Sequence, residues 1–435
     1  MKFFKRVLPL FLCAVACASA FAGCAAGRST QLGKPQEAAR LDYSAREGED
    51  FIAVSQSAER FAAKFASAAL QGADAGTNYA VSPVSAYMAL AMAGACANGQ
   101  TREEIITALG VSYQTLESGF SDFYRSVVSE HKSDLGKVTG VVAPANSVWL
   151  NEGTAFKQDC LQTLADKYYS YSYSADFAHG NQSANLAVRN FVKKQTKGSV
   201  DVDFNLPTDT LFTILNTLYL KDVWNAKGDK LPFTQADYGF ANSDGTTSDT
   251  RLLQGYYRAG RAYETDTYSA FYTTTNMSLK FKFILPRSGY TVNDVFTAET
   301  LAEVNAIEEY DAYDHENRLH YNTRCLFPEY AASYDGEINA ILKESFGITS
   351  LFSQNADFSS LSDDALSCGR VRHVAKLEVN RRGIEGAAVT VPSAGAPGPG
   401  EYEEVYRDFV VNRAFGFIVT DWYGTTLFSG IVNKV

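Results

Sequence analysis

An α+β fold with largely antiparallel or mixed sheets is predicted by three features of this 435-residue chain. Apolar residues recur at helical spacing early, strand-like runs dominate late, and no steady alternation of strand and helix links the two. Phe51, Val54, Ala58, Phe61, Ala62, Phe65, Ala66 and Ala69 fall on one helix face that packs on a core, and residues 72–77 turn the chain. A helix from about Val84 to Ala97 is apolar all round and so deeply buried, and Thr101-Arg102-Glu103-Glu104 is expected to cap the next. Strands are expected at 138–149, 213–224, 279–286, 371–379, 409–420 and 426–432, with helices near 155–169, 183–197, 297–309 and 335–347. The Pro- and Gly-rich stretch 392–400 lies between two strands. Too little chain follows it for another domain, so it is a long exposed loop within one fold.

Hydrophobic residues at 46% and charged residues at 20% describe a folded chain, neither a disordered tail nor a multi-span membrane protein. The net charge of −10 and the shortness of the basic clusters argue against nucleic acid and against a polybasic lipid-binding surface. The first residues read as targeting. Lys2, Lys5 and Arg6 precede an apolar run over 7–22 that is shorter than the ~20 residues a membrane-spanning helix needs. The run ends in Phe21-Ala22-Gly23-Cys24, which resembles the bacterial lipobox, with Phe21 in place of the usual Leu. The expectation is a signal peptide over 1–23, lipid on the Cys24 thiol, and export to the bacterial cell surface as a lipoprotein, or secretion by ordinary cleavage nearby. Residues 24–50 lack apolar periodicity and read as a flexible spacer ahead of a single domain over 51–435. Of seven cysteines, Cys96, Cys160, Cys325 and Cys368 remain, widely spaced and without metal spacing, and are expected to be buried free thiols or at most an opportunistic bridge.

Catalytic signatures are missing. The sequence has no GxSxG elbow, HExxH, Walker loop or GxGxxG after a strand, and it has only five histidines. His315 and His320 sit in a charged, loop-like segment where a metal is not expected, and His131 and His179 look solvated. His373, in an alternating strand, reads as a hydrogen-bonded core histidine. No enzyme activity, cofactor or metal is expected.

One set of segments keeps a single order along the chain. It begins with Asn78-Tyr79-Ala80-Val81-Ser82-Pro83-Val84-Ser85, Asn146-Ser147-Val148-Trp149-Leu150 and Asn216-Thr217-Leu218-Tyr219-Leu220-Lys221-Asp222-Val223-Trp224. It continues with Phe283-Ile284-Leu285-Pro286, Phe346-Gly347-Ile348, Ala356-Asp357-Phe358-Ser359, His373, and Glu378-Val379-Asn380-Arg381-Arg382-Gly383. It closes with Asn412-Arg413-Ala414-Phe415-Gly416-Phe417-Ile418 and Leu427-Phe428-Ser429-Gly430-Ile431-Val432-Asn433. This series resembles the serpin (serine protease inhibitor) family over residues 51–435, in a form similar to a bacterial lipoprotein. The resemblance implies a serpin-like fold: a large central mixed β-sheet, smaller sheets, surrounding helices, and an exposed reactive loop near the C-terminus, here about 383–408. It also implies irreversible suicide-substrate inhibition of serine, or cysteine, endopeptidases. The protease forms an acyl-enzyme on the loop, and the loop then inserts into the sheet and traps it. The alternative is a non-inhibitory or substrate-like member acting as a cell-surface binding protein. Ser82, Pro83, Ser85, Asn216 and His373 map to the family's shutter, where polar groups hydrogen-bond across the place the sheet opens, and Trp224 maps to its breach.

The hinge implied is Gly383, Ile384, Glu385, Gly386, Ala387, Ala388, Val389 and Thr390. At a period of two, Ile384, Gly386, Ala388 and Thr390 share one uncharged face, which suits burial, and Glu385 stays on the other. Several positions depart from the family pattern: Arg381 and Arg382 precede the hinge, Ile384 stands where Thr or Ser is usual, and Gly386 replaces Ala. Pro392, Pro397 and Pro399 would each forfeit a ladder bond on insertion. The family's count places the scissile bond at Pro397–Gly398. The loop is longer than usual, so a bond near Tyr402 and Glu403 is equally open, and elastase-, chymotrypsin- and subtilisin-like endopeptidases remain candidate partners of a monomer.

Overall fold

The computed structural model describes residues 27–133, 136–224, 230–308, 310–368, 370–384 and 402–435. The first strand, β1 (Thr30–Gly33), precedes α1 (Glu49–Leu70), which buries the predicted Phe51, Val54, Ala58, Phe61, Phe65 and Ala66. Then come β2 (Tyr79–Val81) and α2 (Pro83–Cys96), with Pro83 in its first turn and almost every residue buried. Next are α3 (Gly99–Leu109), α4 (Tyr113–Val127), β3 (Ser129–Lys132), β4 (Val138–Asn151), α5 (Gln158–Tyr168) and β5 (Ser170–Ala175). The middle of the chain holds α6 (Asn181–Gln195), β6 (Phe212–Val223), β7 (Tyr238–Ala241), β8 (Thr247–Thr250), β9 (Leu253–Gln254), β10 (Arg258–Ala259), β11 (Tyr263–Glu264), β12 (Tyr268–Thr274) and β13 (Lys280–Pro286). Two short helices follow, α7 (Val292–Val295) and α8 (Ala298–Ala306), then β14 (Tyr313–Asp314), β15 (Leu319–Phe327), β16 (Tyr330–Glu337) and α9 (Asn339–Phe346). The chain ends with β17 (Arg372–Asn380), β18 (Gly383–Ile384), β19 (Glu403–Val410), β20 (Phe415–Thr420) and β21 (Thr426–Val432).

The large sheet runs β1-β5-β4-β6-β18-β17-β16, with β3 also paired to β4. A second sheet runs β11-β12-β13-β20-β21-β2, and a third is built on β15 with β9, β10, β14 and β19. The main core lies between the large sheet and the second one, around α1 and α2. A smaller core on the outer face packs Trp149 and Leu215 of the sheet against Phe191 and Val188 of α6. The fold is therefore α+β, with the mixed central sheet covered on both faces.

The structure departs from the sequence expectations in four places. Residues 27–47 are seated on the body rather than forming a flexible spacer: β1 pairs antiparallel with β5, Arg28 N–H donates to Ser183 Oγ at 2.8 Å, and Leu41 is buried. Backbone pairing holds this polar segment, which apolar periodicity does not report. The Thr101–Glu104 run lies inside α3 instead of capping it, because the helix already starts at Gly99 after Asn98, and Glu104 is left to accept from Thr349 N–H and Ser350 N–H, both at 2.7 Å. The expected strand 409–420 is two strands in two sheets, broken where Arg413 Nε donates to Pro286 O at 2.7 Å. Finally, 335–337 belong to β16, and the helix expected there starts only at Asn339.

Candidate functional site

The large sheet has a seam. β6 is laddered to β4 from Phe212–Leu150 to Lys221–Val141, and β17 is laddered to β16 from Arg372–Glu337 to Val379–Tyr330. Among the described residues no ladder joins β6 to β17 directly. Only β18 bridges them, with Gly383 opposite Val223 and Asn380, and Ile384 opposite Asp222 and Val379. Gly383 is required here: its φ is 153°, and a Cβ would come within 2.1 Å of Asp222 O. Ile384 is buried at the top of the seam. Below it lies a cavity of about 30 Å³, floored by Ala89 and Ala93 of α2 and walled by Ile214 and Asn216 on one side and Val371 and His373 on the other. That is room for a water or two.

The breach position is filled by Trp224. Its Nε1–H donates to Asn380 O at 2.7 Å, and its ring packs edge-on to Phe327 and Phe281. Arg381 and Arg382, which depart from the family pattern, shape the turn into β18. Arg381 N–H donates to Glu329 Oε1 at 2.6 Å and its guanidinium lies over Phe233, while Arg382 O accepts from Trp224 N–H. Beside them the buried Asp222 accepts from Val223 N–H and Met277 N–H, and burial raises its carboxyl to about 6.

The polar residues mapped to the shutter divide into two groups. Ser82 Oγ donates to Leu427 O at 2.8 Å and lies 2.9 Å from Ser85 Oγ, whose hydroxyl can donate to it, and Ser82 N–H donates to His373 Nε2 at 3.0 Å. Asn216 turns the other way. Its amide donates to Asn146 Oδ1, and Asn146 Nδ2 donates in turn to Tyr168 O at 2.6 Å. Among the described residues no hydrogen bond joins Asn216 to His373, and Asn216 Oδ1 is buried there without a partner.

His373 packs edge-on to Phe65, and burial lowers its imidazole to about 4, so it is neutral and accepts the Ser82 N–H through Nε2. An unfolded chain would take up that proton near the ordinary value of about 6.5. The contribution of His373 to stability is therefore complete above pH 6.5 and is lost as pH falls toward 4, a change of about 3 kcal/mol. Asp222 has the opposite sign, since its raised carboxyl favours the fold at low pH. Urea midpoints at pH 7.5 and 4.5 for the wild type and His373→Asn isolate the effect: the variant should lose less stability on acidification, and an equal loss in both would refute it.

The distal end of the loop is anchored. β19 runs parallel to β15 from Glu403–Leu319 to Val410–Leu326. Tyr402 hydroxyl meets His315 Nδ1 at 2.7 Å, Glu404 meets His320 Nδ1 at 2.9 Å, and Asp408 holds Arg324 through Nε and Nη2 at 2.9 Å each. Tyr402 and Glu403 thus sit at the start of a ladder and not on a free loop, as their candidacy for the scissile bond requires. Sequence reasoning missed this anchor. The period-two row Tyr402, Glu404, Tyr406 and Asp408 carried the signal, as did His320, which was assigned to a loop and lies in β15. Cys24, Glu385, Gly386, Ala387, Ala388, Val389, Thr390, Pro397 and Gly398 lie outside the described residues.

Known proteins share this architecture. A family model described as Serpin (serine protease inhibitor) matches residues 56–435. Iripin-2 of Ixodes ricinus is 28% identical over 368 residues, covering 82% of this chain and 88% of its own. Serpin-Z1B of Triticum aestivum is 27% identical over 398 residues, covering 86% and 95%. The thermophilic serpin Tengpin in its native state superposes with a TM-score of 0.71 at 22% identity, over 94% of this chain and all of that one, which speaks to the fold alone. Because the family match takes in both strands of the seam, the segment entering it and the sheets around it, the chain belongs to the serpin family, a family of protease inhibitors in general and not of enzymes.

Proposed function

We propose that this protein is an exported suicide-substrate inhibitor of serine, or cysteine, endopeptidases that traps its target by inserting residues 385–394 into the seam. The observation that carries the reading is the seam itself, in which β18 is already seated as the first two residues of a missing strand. Continuing its register sets Thr390 opposite both Asn216 and His373, and Pro392 opposite Ile214 and Val371. Ile384, Gly386, Ala388 and Thr390 then face α2, whose floor of small residues leaves room for them, and Glu385 and Ala387 face outward. The Thr390 hydroxyl can donate to the unpartnered Asn216 Oδ1. Because β6 begins at Phe212, the strand ends near Ala394, so only Pro392 of the three prolines forfeits a ladder bond, at a cost of about 1 kcal/mol.

In this reading the protease serine or cysteine attacks a bond N-terminal of the anchored Tyr402. The Pro397–Gly398 bond fits that limit, and elastase-, chymotrypsin- and subtilisin-like enzymes are the targets to test. The acyl-enzyme is carried away as the strand fills the seam, before water completes hydrolysis. Lys2, Lys5 and Arg6, the apolar run and the lipobox-like Phe21-Ala22-Gly23-Cys24 support lipid attachment at Cys24 and display of a monomer on a bacterial surface. Incubation of the purified protein with a panel of such proteases tests the proposal. A covalent complex surviving SDS is expected, and the mass of the released C-terminal peptide fixes the bond. Clean cleavage with full recovery of protease would instead favour the substrate-like or binding-protein alternative.

A further inference from the structure

Four buried free thiols are present among the described residues, and two of them meet. Cys96 is the last residue of α2 and is fully buried. Cys160, in the first turn of α5, is 8% exposed. Their Sγ atoms are 3.9 Å apart. A disulfide needs about 2.05 Å, so the two sulfurs must close by roughly 2 Å. The thiols are also unlike one another. The hydrogen bond with Cys96, followed by the charges of Arg102 and Lys157, pulls the Cys160 thiol down, and Cys96 is pushed up by the same contact and by complete burial. The more accessible sulfur is therefore the better nucleophile.

The two cysteines stand on parts of the molecule that must slide when the seam opens. β6 is bound to β4 and β4 to β5, and α5 leads directly into β5, with Asn146 of β4 donating to Tyr168 O at the end of α5. These elements form one half. α2 lies under the seam and is fixed to the second sheet, with Ser82 at its start donating to Leu427 O in β21. Besides the contact of the two thiols, the ends that carry the cysteines share the segment around Ser359, through Asn98 Nδ2 to Ser359 Oγ at 2.8 Å and Lys157 Nζ to Ser359 O at 2.7 Å.

We propose that Cys96 and Cys160 are a redox modification site, closing to a reversible disulfide that ties α2 to α5 and blocks opening of the seam. The oxidant is a disulfide, either a glutathione-type small molecule or a disulfide oxidoreductase. The Cys160 thiolate attacks one of its sulfurs, forming a mixed disulfide and releasing the first thiolate. Cys96 then gives its proton to that thiolate and attacks Cys160 Sγ, expelling the second. Two protein thiols are oxidised and one disulfide is reduced to two thiols.

The block on opening rests on the loop-insertion reading above, whereas the bond does not. The test equilibrates the purified protein in glutathione buffers of rising oxidised fraction, alkylates it and maps the peptides. A Cys96–Cys160 linked pair, lighter by two hydrogens, is expected, with Cys325 and Cys368 alkylated only after unfolding. The linked protein should form SDS-stable protease complexes at least tenfold less than the reduced form, with recovery on reduction, and Cys160→Ser should be indifferent to the buffer. The absence of a linked pair in every buffer overturns the site, and linked protein that traps as well as reduced protein overturns the block. If the reduced protein does not trap either, the inhibitor reading fails, and the mapped bond decides the site by itself.

Discussion

Cleavage of the native protein within residues 385–401 should raise its melting temperature by on the order of 10–20 °C. Among the described residues the facing edges of β6 and β17 are bridged by Gly383 and Ile384 alone. A cut removes the anchor at Tyr402 and lets the segment from Glu385 fill the gap. About twenty ladder hydrogen bonds then form at about 1 kcal/mol each, the cavity over Ala89 and Ala93 is filled, and Asn216 Oδ1 finds a donor. The ordering entropy of the segment offsets part of the gain, and Pro392 removes one bond. The measurement is a pair of thermal scans, before and after limited proteolysis, with the cut located by mass. An unchanged transition would mean that the seam does not take the strand.

Thr390→Arg should convert the protein from a trap into a substrate. In the continued register this position lies between Asn216 and His373 above α2, in surroundings that offer no carboxylate among the cavity-lining residues. A buried, unpaired guanidinium costs about 3–5 kcal/mol, enough to stall insertion at mid-seam while the acyl-enzyme hydrolyses. Titration against a protease that forms SDS-stable complexes with the wild type should show loss of the complex with loop cleavage intact, and the uncut variant should melt close to the wild type. Equal complex yields would place residue 390 outside the inserted strand. The control Thr390→Ser keeps the hydroxyl and should trap normally.

Much of the fold was legible because its strongest signals are local. The single apolar face of α1, the all-round apolarity of α2 and the alternation in β17 each report burial, and burial is what fixes these elements. What escaped was held by backbone pairing or by polar contacts between distant segments. β1 has no apolar pattern, because its place depends on the edge of β5. The Thr101–Glu104 run looked like a cap because no local signal shows that Glu104 is claimed by Thr349 and Ser350. The site divides in the same way. The small, uncharged alternation from Ile384 to Thr390 was readable, and of it Ile384 lies in the described residues, where it is buried. The anchoring of Tyr402 and Glu404 was not, since His315 and His320 acquire their partners only when β19 lies beside β15.

The pairing of β1 also sets how the molecule would stand on a membrane. Thr30 is level with Ser174, Ser174 with Leu150, and Leu150 with Phe212, whereas the loop begins opposite Val223 at the other end of β6. For a protein held by the proposed lipid on Cys24, the leash up to Arg28 reaches only about 14 Å, and the far end of the sheet stands about 35 Å beyond the tethered one. Gly383, where the loop begins, would then lie on the side away from the lipid, while the tethered end rests near it.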